Sequence, residues 1–339
     1  MKRRQWIHQA GLAGLSVLLP ACSSSPRLEE INTAAAERLG GEGYGVWKKG
    51  RWSGGRRPDG RMPSLSITKS LAALAVVRGT QEGWLQLDRP LDGILPEWRA
   101  NAEKRRITVR MLVNQSAGFP SGVANLYRGE IQNKGRVAIA LPLVDAPGTR
   151  FRYGPASSEI LAEILRRSLQ ARGSTTEGFL QDIMRQIGIS SPDWRKDLGG
   201  HYYLSTGAQF SLKDLGKLGQ VIAKLASGTD AAGLQSSFFR DLASPRAANP
   251  MVSAGIWWNR NASRKGAFSI EPERNIDDVH PPSFWQLASL AADLNPDWLA
   301  IVGSGGKRIY VLPSHDLVIA RLDRATSWND AEFLRAVSA

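Results

Sequence analysis

The feature that most constrains this chain is the order of its secondary-structure signals. Strand-like segments stand at both ends, and helical ones fill the middle. Gly43–Trp52 reads as a hairpin around Lys49-Gly50, a tight-turn pair. Ser253–Trp258 reads as a strand. So do Lys307–Leu312 and Leu317–Leu322, joined by the turn Pro313-Ser314-His315-Asp316. Between them Glu159–Leu169, Phe179–Ile187 and Leu212–Leu225 carry apolar residues at helical spacing, the last opened by Ser211 with Asp214 three residues on, a capping box. Ile107–Val113 reads as a shorter amphipathic helix, and Asn329–Val337 as a closing one. A sheet assembled from both ends, with a mostly helical segment inserted, accommodates this order. The expectation is an α+β sandwich: an antiparallel sheet from about 41–85 and 250–339, flanked by helices, with a helical subdomain at about 86–250. The stretch Arg260–Pro296 fits less simply. It is polar, then carries Pro281-Pro282 and a short apolar helix candidate at Phe284–Leu294, so it reads as an insertion over a cleft.

Chemistry enters at Ser66-Ile67-Thr68-Lys69, where a loop gives way to the apolar helix Ser64–Gly79. A serine hydroxyl is a poor nucleophile until a base takes its proton. Residues three apart on a helix are neighbours, so the Lys69 amine falls beside the Ser66 oxygen. A lysine acts as a base only when neutral, which calls for burial or nearby cations. The chain supplies its own control in Ser304-Gly305-Gly306-Lys307, which has the same spacing. Two glycines followed by Ile309-Tyr310-Val311-Leu312 make that segment a loop entering a strand, where the two side chains do not share a face.

The first residues suggest a compartment. Lys2-Arg3-Arg4 precedes the apolar Ala10–Leu19 and then Leu19-Pro20-Ala21-Cys22. This is a secretory signal in composition, too short to span a bilayer. It resembles a bacterial lipoprotein signal over 1–21, cleaved before Cys22, whose thiol takes the lipid; 22–40 is then a tether and first helix (Glu29–Arg38). Arg3-Arg4-Gln5-Trp6-Ile7 also resembles a twin-arginine signal. Cys22 is the sole cysteine among 339 residues, so no disulfide within the chain supports the fold. The formal charge is +13, and removing the three cations of Met1–Ala21 leaves 13 − 3 = +10. The basic groups are short, Arg56-Arg57 and Lys104-Arg105-Arg106, with no interleaved aromatics. An anionic envelope surface is therefore expected as the neighbour, and nucleic acid is not.

Longer motifs make a family resemblance specific. Ser64 to Leu71, Gly83-Trp84-Leu85-Gln86-Leu87-Asp88-Arg89-Pro90-Leu91, and Ile107 to Gly118 resemble the β-lactamase-related serine hydrolases. So do Pro147-Gly148-Thr149-Arg150-Phe151-Arg152-Tyr153, Gly207–Gly219, and Gly305 to Pro313 with Asp316–Ala320. The similarity runs from about Gly43 to Leu322 in the family's order, within a domain at 41–339. Gly255-Ile256-Trp257-Trp258-Asn259 resembles the branch of 6-aminohexanoate-oligomer hydrolases and related esterases.

The resemblance implies a β-lactamase/transpeptidase-like fold and a catalytic centre of Ser66, Lys69 and Tyr153, with no metal or cofactor. It implies an oxyanion hole from the Ser66 N–H and the Gly305–Lys307 edge, with Ser304 at the third-motif position. Trp257 and Trp258 alternate on a strand, so one is expected in the core and the other, Trp258, toward the substrate. Two positions depart from the family pattern. Tyr153-Gly154-Pro155 replaces Tyr-x-Asn or Tyr-x-Ser, and Ser304 stands where Lys or His precedes the glycine. Both changes point away from a penicillin-like carboxylate and amide, toward esters or less polar amides. The expected activity is hydrolysis through an acyl-enzyme at Ser66. A catalytically weak relative that binds cell-wall peptide or a partner, and a D-amino-acid peptidase, are the alternatives.

Of the other candidates, the four histidines show no metal-ligand spacing. No Gly-x-Ser-x-Gly elbow anchors a Ser-His-Asp site. Arg308 reads as a surface charge.

Overall fold

The computed structural model describes residues 42–56, 60–128, 130–190, 193–276, 278–324 and 328–338. The signal segment, Cys22, the tether and the Glu29–Arg38 helix lie outside the described residues. The strands, in chain order, are β1 (Gly43–Lys48), β2 (Arg51–Arg56), β3 (Arg61–Pro63), β4 (Gln209–Ser211), β5 (Val252–Ser253) and β6 (Ile256–Trp258). They continue with β7 (Phe268–Ser269), β8 (Ala288–Ser289), β9 (Leu299–Gly303), β10 (Lys307–Leu312) and β11 (Leu317–Leu322). The helices are α1 (Thr68–Gln81), α2 (Val109–Val113), α3 (Ala124–Arg128), α4 (Lys134–Ala140), α5 (Ala156–Gln170) and α6 (Thr176–Ile187). They are followed by α7 (Leu212–Ala226), α8 (Ser236–Leu242), α9 (Pro272–Asn275), α10 (Pro282–Trp285) and α11 (Asp330–Ser338).

Both ends of the chain build one seven-stranded sheet, in the order β2-β1-β11-β10-β9-β6-β5, with every pairing antiparallel. Alternation along each central strand sorts side chains to two faces. Trp47, Ile301, Ile309, Val311, Val318 and Ala320 join α1 and α7 in one apolar cluster, which continues into the helical part of the chain. Tyr44, Val46, Ala300, Tyr310, Leu312 and Ile319 meet Phe333, Leu334 and Val337 of α11 in the other. The result is the antiparallel sheet flanked by helices that the element order implies.

Helix α7 starts at the capping box. Ser211 Oγ accepts the Asp214 N–H at 3.1 Å, and Asp214 Oδ2 accepts the Ser211 N–H at 3.1 Å. Its glycines let it press onto the sheet: a β-carbon at Gly216 lies 2.3 Å from the Trp47 ring, and one at Gly219 lies 2.5 Å from Val318 Cγ1.

Three expectations need correction. Ser253–Trp258 is a hairpin, β5 and β6, because Ala254 (φ 53°) and Gly255 (φ 68°) turn the chain in the left-handed region. The Phe284–Leu294 helix is cut to α10, because side-chain amides take over the backbone groups a helix would pair. Asn261 Nδ2 donates to the Trp285 and Ala288 carbonyls, while Asn259 donates to the Ala291 carbonyl and accepts the Ala291 N–H. Arg308 is wholly buried, not a surface charge. It shares the strand face of Tyr310 and Leu312, where the first residue of α11, Asp330, meets it with two bonds of 2.7 and 3.0 Å.

Candidate active site

Ser66 lies in a 3-10 turn, Leu65–Ile67, that leads straight into α1. Leu65 takes a φ of +50°, a conformation costing on the order of 1–3 kcal/mol for a branched side chain. The strain is held from both sides by Ala208. Its carbonyl accepts the Ser64 N–H at 2.9 Å and Ser64 Oγ–H at 2.7 Å, and its N–H donates to Thr68 Oγ1 at 3.2 Å. Below, the β5–β6 turn meets the first turn of α1. Ser70 Oγ–H donates to the Gly255 carbonyl at 2.8 Å, and a β-carbon at Gly255 lies 2.9 Å from the Lys69 carbonyl carbon. Helix α1 is buried from Thr68 to Val77, so its apolar sequence serves a core helix.

Lys69 Nζ donates to Ser66 Oγ at 3.1 Å and to the Ser205 carbonyl at 3.0 Å. It also lies 4.8 Å from the Tyr153 ring centroid, and the Ser66 side chain is close enough to the Tyr153 hydroxyl to lower its proton affinity. Burial lowers the Lys69 ammonium to about 7, against the opposing charge of Glu159. Burial pushes the Tyr153 phenol up to about 12, with the nearby Ser66 side chain opposing it. Near neutral pH, Lys69 can therefore shed its proton while Tyr153 keeps its own. The fold thus brings Ser66, Lys69 and Tyr153 into one cluster.

Tyr153 is held by its chain neighbours and by the wall it packs against. Pro155 caps α5, a place where a proline's missing N–H costs nothing. Gln115 Oε1 accepts the Gly154 N–H at 3.0 Å. Phe151 packs at 5.0 Å from Trp285, so the 260–296 segment walls the tyrosine loop from behind with a buried tryptophan.

The third-motif residues are placed differently from expectation. The Gly305 and Gly306 N–H groups, expected beside the oxyanion, donate to Glu273 Oε2 at 2.8 Å and Oε1 at 3.1 Å. Lys307 Nζ donates to the Ser304 carbonyl at 3.2 Å, and the Ser304 side chain is exposed, so this second Ser-x-x-Lys pairs no side chains. It is the end of β9 that packs on the turn carrying Ser66: a β-carbon at Gly303 lies 2.4 Å from the Ser64 carbonyl oxygen. Trp258, expected to face substrate, donates its indole N–H to the Ser253 carbonyl at 3.2 Å and stacks under Arg260 at 4.1 Å. Its neighbour Trp257 turns to the opposite face and approaches Tyr153 at 6.3 Å between centroids.

Glu159 is the site residue that sequence reasoning missed. It is buried, its carboxyl is raised by burial, and it accepts the Ser205 N–H at 3.0 Å. An acid beside Ile160 on the apolar side of its helix was the available signal. Glu159 also borders a cavity of about 340 Å³ whose lining includes His201 and Asp197 but not Ser66, Lys69 or Tyr153. Among the described residues, no group of His, Cys, Asp and Glu is arranged to hold a metal ion.

A three-layered helix–sheet–helix body, with a serine at a buried helix start and a lysine amine 3.1 Å from its hydroxyl, has the layout of a serine-hydrolase site. The chain belongs to the β-lactamase family, whose model matches residues 32–336. Similar solved structures include a β-lactamase/D-alanine carboxypeptidase from Pseudomonas syringae (17% identity, TM-score 0.66, 91% of this chain and 98% of that one). A class C β-lactamase from Rhodobacter sphaeroides matches alike (17% identity, TM-score 0.65, 91% and 98%). A Bacillus anthracis protein named as a 6-aminohexanoate-dimer hydrolase aligns over 91% of this chain and 80% of that one (14% identity, TM-score 0.62). A curated relative, acyltransferase calJ of Penicillium decumbens, is 27% identical over 153 residues, which is 38% of this chain and only 36% of that protein.

Proposed function

We propose that this chain hydrolyses an ester or a weakly polar amide through an acyl-enzyme at Ser66. The observation that carries the reading is the buried Lys69 amine, lowered to about 7 and 3.1 Å from Ser66 Oγ. Neutral Lys69 takes the Ser66 proton as Oγ attacks the substrate carbonyl carbon. Tyr153 passes its hydroxyl proton to the departing alcohol or amine and is reprotonated from Lys69, leaving Ser66 acylated. Water then attacks the acyl carbon, its proton returns through Tyr153 and Lys69, and the free acid leaves with Ser66 restored. Pro155 supports the preference for esters, since it has no side-chain amide to hold a substrate amide.

Export and a lipid anchor at Cys22 belong to the same proposal, supported by the Lys2–Cys22 composition. This places the enzyme on the membrane of a bacterial envelope, acting on a small ester, amide or peptide. The test is mass spectrometry of the protein from residue 23 onward after treatment with a fluorophosphonate, beside Ser66→Ala. A single adduct at Ser66 supports the reading. A folded protein that takes no adduct favours the alternative, a weak relative that binds cell-wall peptide. Turnover of D-Ala-terminated peptides in preference to short esters favours the D-amino-acid peptidase.

A further inference from the structure

We propose that Glu273 determines specificity at this site: its carboxylate fills an anion-binding cradle beside the nucleophile, so the substrate accepted there is uncharged and carboxylate-bearing substrates are refused. The inference rests on the hydrolase reading above and names its substrate class.

The cradle is built by three donors. Gly305 (φ 76°) and Gly306 (φ 70°) are successive left-handed glycines, which turns their N–H groups toward one point. The Arg308 guanidinium closes the third side, with Nη1 2.8 Å from Glu273 Oε1. The same Nη1 also donates to the Gly303 and Lys307 carbonyls at 3.0 and 2.9 Å, which fixes the guanidinium against the turn. With the two N–H bonds of 2.8 and 3.1 Å, both oxygens of Glu273 are occupied. This is the donor set a substrate carboxylate needs, and the chain's own carboxylate already satisfies it.

Its position ties the cradle to catalysis. The turn begins directly after Gly303, which packs on the Ser64 carbonyl two residues before the nucleophile. The charges of Glu273 and Arg308 both reach the Tyr153 hydroxyl, the one raising and the other lowering its proton affinity. The Glu273 side chain is 27% exposed whereas that of Arg308 is fully buried, so the cradle opens outward with Glu273 at its mouth. Arg308 does not depend on Glu273 for its charge balance, because Asp330 pairs with it from behind at 2.7 Å. Removing the Glu273 carboxylate thus exposes a preformed anion site, while retaining it sets like charge against any carboxylate that approaches. Glu273 itself is delivered by α9, which Glu271 ties to the start of α11 by accepting the Asp330 N–H at 2.8 Å.

The test compares two acetate esters that differ by one carboxylate on the leaving ring, phenyl acetate and 3-acetoxybenzoate. Second-order rates are measured for the wild-type chain, Glu273→Ala and Glu273→Gln. The ratio between variants cancels the intrinsic reactivity of the esters. Glu273→Ala is expected to shift the ratio toward 3-acetoxybenzoate by about tenfold or more, as loss of a close like charge allows, with added acetate competing that gain away. Glu273→Gln keeps the shape and loses the charge, and shifts the ratio in the same direction. A brace that merely holds the 260–296 segment slows both esters alike. An unchanged ratio in both folded variants, with Ser66 still labelled by fluorophosphonate, overturns this inference and leaves the hydrolase reading standing. Absence of any Ser66 adduct overturns the hydrolase reading itself.

Discussion

Glu159 and Lys69 are joined through a single residue: Ser205 gives its N–H to the Glu159 carboxylate at 3.0 Å and receives the Lys69 ammonium on its carbonyl at 3.0 Å. The buried acid thereby fixes the partner of the proposed base and also acts on its charge.

The pH dependence of acylation derives from this arrangement. Neutral Lys69 is the reactive form, so the Ser66 labelling rate should rise with pH through a limb near 7. Glu159 raises the Lys69 value, so Glu159→Gln should move that limb to lower pH. Labelling rates with a neutral fluorophosphonate between pH 5 and 9 (roughly two units either side) check it. A limb that stays in place in a folded Glu159→Gln protein rules out the electrostatic role.

Lys69 should also cost the fold stability. Its folded value is depressed to about 7 from 10.5, so between those limits the unfolded chain binds a proton the folded one does not. Folded stability therefore falls as pH drops from the upper limit to the lower, and the loss is complete below about 7. Lys69→Met should raise Tm at pH 7, by the equivalent of about 1–2 kcal/mol, while abolishing labelling of Ser66. Thermal melts paired with labelling show whether the two effects separate; a lower Tm contradicts the sign.

Breaking the Arg308–Asp330 pair should be severe. Both side chains are fully buried, so Arg308→Met strands the Asp330 carboxylate, at a cost of about 3–5 kcal/mol. Replacing both partners by apolar residues should recover much of that loss. Urea unfolding of the single and double variants measures it, and an additive double variant refutes the coupling.

Gly216→Ala offers a cleaner packing test. Alanine favours an exposed helix by about 1 kcal/mol over glycine. Here the new methyl meets the Trp47 ring at 2.3–2.5 Å, so overpacking should win and lower stability by about 1–3 kcal/mol. A raised Tm would show that α7 can slide on the sheet.

What the sequence made legible was local. Ser66 and Lys69 are three residues apart across the 3-10 turn that leads into α1, and Ser211 and Asp214 cap another helix, so their partners lie within a turn. The strands Lys307–Leu312 and Leu317–Leu322 were readable because an apolar run between turn residues has few other forms. Arg308 was not, since its partners Glu273 and Asp330 come from distant parts of the chain. The same holds for Gly305 and Gly306, which looked free until a carboxylate 32 and 33 residues away met them. The Phe284–Leu294 pattern misled because two asparagine side chains, Asn259 and Asn261, outcompeted helical pairing.

Helix α1 is buried from Thr68 to Val77, and this ties the fate of the nucleophile to that of the whole molecule. Ser66 stands at the head of the hydrophobic core itself, so displacing it disturbs the body of the fold. Inactivation by heat should coincide with collapse of the entire fold. Inheritable changes in what the site accepts should accumulate at the partly exposed Glu273 turn, and not in α1 or around the buried Trp285.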